Sequence, residues 1–202
     1  IILSDILIRD GINLKERGFY LDVGAHHPVR FSNTKLFYDL GWNGINIDPN
    51  ERTNEIFQKS RPRDINLELA LGEKIGEQEF FKYDESALNS FKNRDKELID
   101  TPYFQSGSNM VAITTLEEIL INHLKGELRT PNFLDIDVEG FELQVLKGNN
   151  WSKFKFSYIL IEQKLPSLDA IQDSLVYKFL RNLGYKPMAN NGLTSIYKNF
   201  PA

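Results

Sequence analysis

Residues 18–34 read GFYLDVGAHHPVRFSNT, and the fold turns on how the break at Gly24 is understood. An apolar run, FYLDV, carries one acid, Asp22, and is followed by a glycine, two adjacent histidines and a proline. Such a run bounded by glycines reads as a buried strand, and polar residues at its end stand where open α/β sheets hold ligands. An unpaired carboxylate inside a strand is costly to bury, so Asp22 calls for a cation or several hydrogen-bond donors. A nucleotide pyrophosphate would repel it. The Gly-x-Gly-x-x-Gly fingerprint of dinucleotide sites is absent, and Pro28 lacks the backbone N–H that a phosphate loop needs there. A zwitterionic ligand whose ammonium meets Asp22 fits better, with Gly24 permitting a close backbone approach.

Outward from this strand, short apolar runs alternate with amphipathic stretches. Strands are expected at 44–48, 64–72, 131–137 and 156–162. Helices are expected over 33–41 (capped by Ser32 or Asn33, stopped by Gly41), over 51–60, over LEEILINHL after a Thr115 cap, and over GFELQVLKG. Leu168, Ile171, Leu175, Phe179 and Leu183 fall on one face of a last helix, and Asn190, Asn191 and Gly192 supply turn chemistry for a closing hairpin. From 76 to 114 the pattern loosens to an edge strand at QEFFKYD, a loop at SALNSF and a short strand at MVAITT. This alternation implies one α/β domain over 1–202, a doubly wound, mostly parallel sheet with an antiparallel strand near the C-terminus.

Composition narrows the function classes. The 202 residues carry 24 basic and 28 acidic side chains, net charge -4, without a long run of either sign, which argues against a nucleic-acid partner. There is no cysteine, so disulfides and thiolate metal sites are excluded. No apolar run approaches the roughly 20 residues of a membrane span. The start lacks the basic region and cleavage site of a signal peptide, so a cytoplasmic location is expected. The chain begins at Ile1 rather than methionine, consistent with a trimmed or processed piece of something longer.

Every strand assigned to the sheet centre ends in acid: Asp22 before Gly24, Asp48, Asp135 with Asp137 and Glu139, and Glu162. Taken singly, each is explained as a cap or turn residue. Asp48 before Pro49 can start a turn, and Glu139 and Glu142 can support the first turn of the helix at 140–147. Together they describe a site. Asp48 follows the first turn at about 20 residues, the spacing at which such folds grip ribose hydroxyls. An acid for an ammonium, a close glycine and an acid for a ribose point to S-adenosylmethionine.

The segments GFYLDVGAHHPVRFSNTKLFYDLGWNGINIDPN, TTLEEIL and NFLDIDVEGFELQVLKG, in this order over about residues 17–163, resemble the FkbM-type family of S-adenosylmethionine-dependent methyltransferases. DVEGFELQVLKG is the most distinctive of them. The resemblance implies a class I methyltransferase fold, Rossmann-like, with a seven-stranded sheet containing one antiparallel strand. It also implies methyl transfer, usually to oxygen, on sugars or natural products. Two positions depart from the common pattern: His26, where many members have asparagine, and Asp135, where many have lysine.

The expected cofactor contacts are Asp22, Gly24, Ala25, His26, Asn33, Asp48, Pro49, Ala70, Leu71 and Asp135, with Ala70 and Leu71 flanking adenine at the end of the third strand. Asp137 and Glu139 are the first candidates for the base that takes the acceptor proton, then Glu162, then His26. Adjacent His26 and His27 point different ways and lack further ligands, so a metal, if used, is expected on Asp137, Glu139 and Glu162; a divalent metal is not favoured. The stretch 76–114 is assigned to the acceptor side or its lid, with Tyr83, Asn89, Tyr103 and Gln105 suited to a polyhydroxylated small-molecule or glycan acceptor. The competing class is a noncatalytic relative that binds a glycan or partner. A nicotinamide dehydrogenase is disfavoured by the missing glycines. The oligomeric state is left open.

Overall fold

The computed structural model describes residues 2–124, 131–165, 167 and 169–200. Its main sheet has seven strands in the order β3 (Ile65–Leu67), β2 (Asn43–Ile47), β1 (Phe19–Val23), β7 (Phe133–Ile136), β8 (Tyr158–Glu162), β10 (Thr194–Asn199) and β9 (Tyr185–Asn190). The first five run parallel, and β10 enters antiparallel to both of its neighbours. Helices α1 (Ile2–Arg9), α2 (Lys35–Asp39), α3 (Thr53–Ser60), α4 (Asp95–Leu98), α5 (Leu116–His123), α6 (Glu142–Lys147) and α7 (Leu175–Asn182) accompany the strands. No helix among the described residues is long and apolar enough to cross a membrane.

The central strands are apolar on both faces because each face is covered, as parallel sheets require. One face carries Leu21, Val23, Ile45, Leu134, Ile136 and Ile159 against Leu116, Leu120 and Val145. The other carries Tyr20, Phe133, Leu160 and Ile196 against Leu3, Leu7, Phe37 and Trp42. The two-residue period of a strand then fixes where the acids go. Asp22, Asp135 and Glu162 each lie two residues beyond a member of the aromatic core, Tyr20, Phe133 and Leu160. That core layer therefore turns acidic at the carboxyl edge of the sheet.

Three expectations are corrected. The third strand ends at Leu67. Glu68 turns out to accept from the Arg52 backbone N–H, and β4 (Ala70–Leu71) crosses to a second sheet. That sheet, ordered β4, β6 (Gln105–Thr114), β5 (Gly76–Tyr83), gives the stretch 76–114 far more structure than its sequence suggests. The hairpin is held by a small core of Ala70, Phe80, Phe91 and Ile113, with the Phe91 ring tilted against those of Phe80 and Phe141 at centroid distances of 4.9 and 5.0 Å. Finally, the last helix is not continuous. A 3₁₀ turn at Asp169–Asp173 ends at Ser174, whose side chain caps α7 by accepting from the Tyr177 N–H. Leu175 is consequently exposed, whereas Ile171, Phe179 and Leu183 pack on the core; Leu168 lies outside the described residues.

Candidate active site

Gly24 ends β1 in the left-handed region (φ 84°), and a Cβ there would lie 1.7 Å from the carbonyl oxygen of Asp137. The chain itself demands glycine at this point, before any ligand does. The turn continues through His26 (φ 49°), whose backbone N–H donates to Asp48 Oδ2 at 2.8 Å. Asp48 Oδ1 accepts from the Asn50 N–H at 2.8 Å and from Thr53 Oγ1 at 3.4 Å. Asp48 is buried, and burial raises its pKa against the opposing pull of these donors. Around it opens a cleft of about 510 Å³ of empty space, part of it continuous with solvent. Gly24, His26, Asp48 and Pro49 line it, together with the apolar Leu69, Ala70, Leu71, Phe80 and Phe91. His26 Nε2 is 3.0 Å from Ser86 Oγ, while its Nδ1 is buried with no partner. His27 serves the backbone instead, its Nδ1 accepting from the N–H groups of Val29 and Arg30 at 3.1 and 3.0 Å and so closing the turn.

A second cavity adjoins the first. Asp22, Ala25, Asn33, Asp135 and Glu162 line it, along with Phe31, Tyr103 and Leu193. Asp22 and Asp135 are register partners on adjacent strands and are both buried. Asp22 Oδ2 accepts from Thr34 Oγ1 at 2.6 Å, and Asp135 Oδ1 has only Asn33 Nδ2 at 3.4 Å. Burial pushes Asp22 up to about 6, opposed by the Thr34 hydroxyl and the Arg61 guanidinium. Burial and the neighbouring Asp22 charge push Asp135 well above the usual carboxylate range.

At the junction of the cavities stand Asp137 and Glu139, which line both. The carboxylate oxygens of Asp137, Glu139 and Glu162 lie within 4.8 Å of one another. Crowding by surrounding protein, then the charges of Glu162, Asp135 and Glu139, raise the Asp137 pKa well above its ordinary value. Its side chain is open to solvent by surface area, so the neighbouring acids carry more of that rise than burial does. Glu139 sits in the left-handed region (φ 52°), a strained backbone for a non-glycine residue. Arg94, almost fully buried, binds its carboxylate, and Ser90 Oγ donates to its carbonyl at 2.8 Å. Lys164 Nζ lies 2.8 Å from Glu139 Oε2 and 2.9 Å from Glu162 Oε1. The turn before the helix is tied by another acid: Glu142 Oε1 accepts from the N–H groups of Gly140 and Val138 at 2.9 and 3.3 Å. The N-cap of α6 is Phe141, with no side-chain cap hydrogen bond, so neither Asp137 nor Glu139 occupies the capping position.

The structure thus gathers all the expected site residues into two connected cavities. The first holds Gly24, His26, Asp48, Pro49, Ala70, Leu71, Asp137 and Glu139. The second repeats Gly24, His26, Asp137 and Glu139 and adds Asp22, Ala25, Asn33, Asp135 and Glu162. On the hairpin side the expectation is corrected. Tyr103 lines the second cavity and Asn89 the first. Tyr83 is buried, where its hydroxyl accepts from the Arg94 N–H, and Gln105 pairs with Asn93. Sequence reasoning missed Arg61, Thr34, Arg94 and Lys164. The one signal available was the expectation that a buried Asp22 must have a cation.

A parallel sheet with one inserted antiparallel strand, carrying acids on the carboxyl edge, defines a Rossmann-like α/β fold with its ligand site at that edge. The profile of the methyltransferase FkbM domain matches residues 22–187, so the chain belongs to the FkbM methyltransferase family, and this supports a methyltransferase. A crystal structure of a methyltransferase FkbM from Methylobacillus flagellatus KT superposes with a TM-score of 0.52 at 14% identity, over 90% of this chain. The chain spans 43% of that protein's length, and the likeness concerns the fold. Comparison with curated proteins gave no match.

Proposed function

We propose that the protein transfers a methyl group from S-adenosylmethionine to a hydroxyl of a sugar, glycan or small natural-product acceptor. The observation that carries this reading is that Asp137 and Glu139 line both cavities. The first cavity fits an adenosine. Asp48 keeps unused lone pairs beside apolar lining, and His26, whose Nδ1 is buried without a partner, lines the same cleft. Asp22, with one oxygen bound by Thr34, is suited to an ammonium in the second cavity. The bound cofactor supplies an electrophilic methyl on a sulfonium.

The chain's part is to hold the acceptor oxygen in line and to take its proton. Alignment converts a bimolecular step into an effectively unimolecular one. Asp137 is the first candidate for the base, because its raised pKa lies closer to working pH than that of an ordinary carboxylate. Glu139, clamped by Arg94 and Lys164, fixes the turn beside it. Lys164 already places a cation between Glu139 and Glu162, the position a divalent ion would take, and the reaction proposed uses no metal. Full turnover in excess chelator is expected; activity that vanishes and returns with Mg²⁺ would assign the three acids to a metal instead.

Calorimetric titration with S-adenosylmethionine tests the reading directly. One molecule bound per chain is expected. Absence of binding by the folded protein would overturn it.

A further inference from the structure

Arg61, just past the end of α3, is fully buried, an expensive place for a cation without a counter-charge. Its ring neighbours are Phe57 and Tyr38, with the guanidinium carbon 5.2 and 5.6 Å from the ring centres. Its guanidinium hydrogen bonds run toward the loop after β1. Nη1 donates to Thr34 Oγ1 at 2.7 Å, and Nη2 donates to Ser32 Oγ at 2.7 Å and to the Pro28 carbonyl. Two acids feel its charge, Asp64 and Asp22. Asp64 already accepts three hydrogen bonds, from the Tyr20 hydroxyl, the Asn46 amide and the Gly44 N–H at 2.7, 2.9 and 2.8 Å. Asp22 accepts only from Thr34 and lines the second cavity. Thr34, also fully buried, accepts from Arg61 and spends its single proton on Asp22.

We propose that Arg61 is a positioning residue that acts through the Thr34 hydroxyl, keeping Asp22 charged and aimed so that it can hold the ammonium of the cofactor's amino-acid end. This rests on the reading of the site given above. The other groups facing Asp22 are hostile to its charge: Asp135 alongside on β7, Asp48 beyond β2, and Asp64. Thr34 and Arg61 are the two groups that favour its ionised form. With its pKa at about 6, Asp22 is ionised at neutral pH, and losing the relay would carry that transition upward into the neutral range.

The test compares two probes: S-adenosylmethionine and 5′-methylthioadenosine, which keeps the adenosine and loses the amino-acid end. Thr34→Val, nearly isosteric, removes the relay while leaving Arg61 in place. It should weaken S-adenosylmethionine by about ten-fold near neutral pH, the usual loss for a hydrogen bond to a charged group. Affinity for 5′-methylthioadenosine should change by less than about two-fold. The acid limb of the S-adenosylmethionine affinity profile should move up by about one pH unit, the scale on which a lost hydrogen bond acts. Thr34→Ser, which keeps the hydroxyl, should restore both, and Arg61→Gln should reproduce the loss if its melting curve shows a folded protein. Equal weakening of both probes would make the role merely structural. An unmoved acid limb, or an unchanged affinity for S-adenosylmethionine, would also overturn the proposal. Wild-type protein that binds neither probe would instead remove the cofactor reading itself, and the relay with it.

Discussion

Asp48 has two oxygens and uses both on its own chain, one for the His26 N–H and one for Asn50. Its remaining lone pairs are the ones available to a ribose. Asp48→Ala is expected to weaken S-adenosylmethionine binding by about 1–3 kcal/mol, read by calorimetry; an unchanged affinity would retract the ribose assignment. Because the same carboxylate holds the turn, part of that loss will come through His26. Asp137 gives the complementary test. Asp137→Asn should cut turnover by ~10² or more with cofactor affinity and melting temperature nearly unchanged. Near-normal turnover in both Asp137→Asn and Glu139→Gln would dismiss the proposed base. The acids of this site were legible because a carboxylate closing an apolar run is a local feature of sequence. Their cations were not. Arg61 stands 39 positions from Asp22, and Arg94 stands 45 from Glu139; nothing local couples such residues before the sheet and hairpin bring them together.

At the scale of elements, the helix α6 shows how a strand-end acid can be misread. Three acids cluster before and at its start, and Glu142 accepts from backbone N–H groups of the preceding turn, Val138 and Gly140. Glu142→Ala should lower stability by about 1 kcal/mol, as the loss of an intramolecular hydrogen-bond acceptor does, in thermal or denaturant unfolding. An equal loss in Glu139→Ala with none in Glu142→Ala would reverse the assignment. The parallel strands were readable from their apolar runs because burial on both faces leaves no room for polar alternation. Two elements escaped for opposite reasons. The β5–β6 hairpin is polar on its open face, so a run such as QSGSNM in β6 looks like loop until Phe80, Phe91 and Ile113 are seen beneath it. The last helix looked longer than it is because Leu175 sits at helical spacing, yet the Ser174 cap begins a new element there.

Across the whole molecule, the carboxyl edge gathers acids whose folded pKa values lie above their ordinary ones, Asp22, Asp48, Asp135, Asp137 and Glu142, and Asp64, at the opposite end of the sheet just before β3, shares the rise. A group raised on folding takes up its proton in the folded chain first. Stability of the ligand-free protein should therefore rise as pH falls from neutral through about 6, the value for Asp22, and level off near the unfolded carboxylate range. Below that range, the partners of Asp10 and Glu85, which lower those pKa values, are lost and stability should fall. Melting at about pH 5.5 should exceed melting at about pH 7.5 without ligand, and the difference should shrink in S-adenosylmethionine, whose proposed contact with Asp22 needs that acid ionised. A flat profile would mean that these acids carry little charge strain. The contact between Gly24 and the Asp137 carbonyl has a consequence for how such an enzyme can change. The turn that shapes the proposed cofactor pocket and the turn that carries the proposed base touch backbone to backbone, with no side chain between them to absorb a shift. Redesign aimed at new acceptors through residues 137–140 will be felt in cofactor affinity, so the two specificities are inherited together and must be altered together.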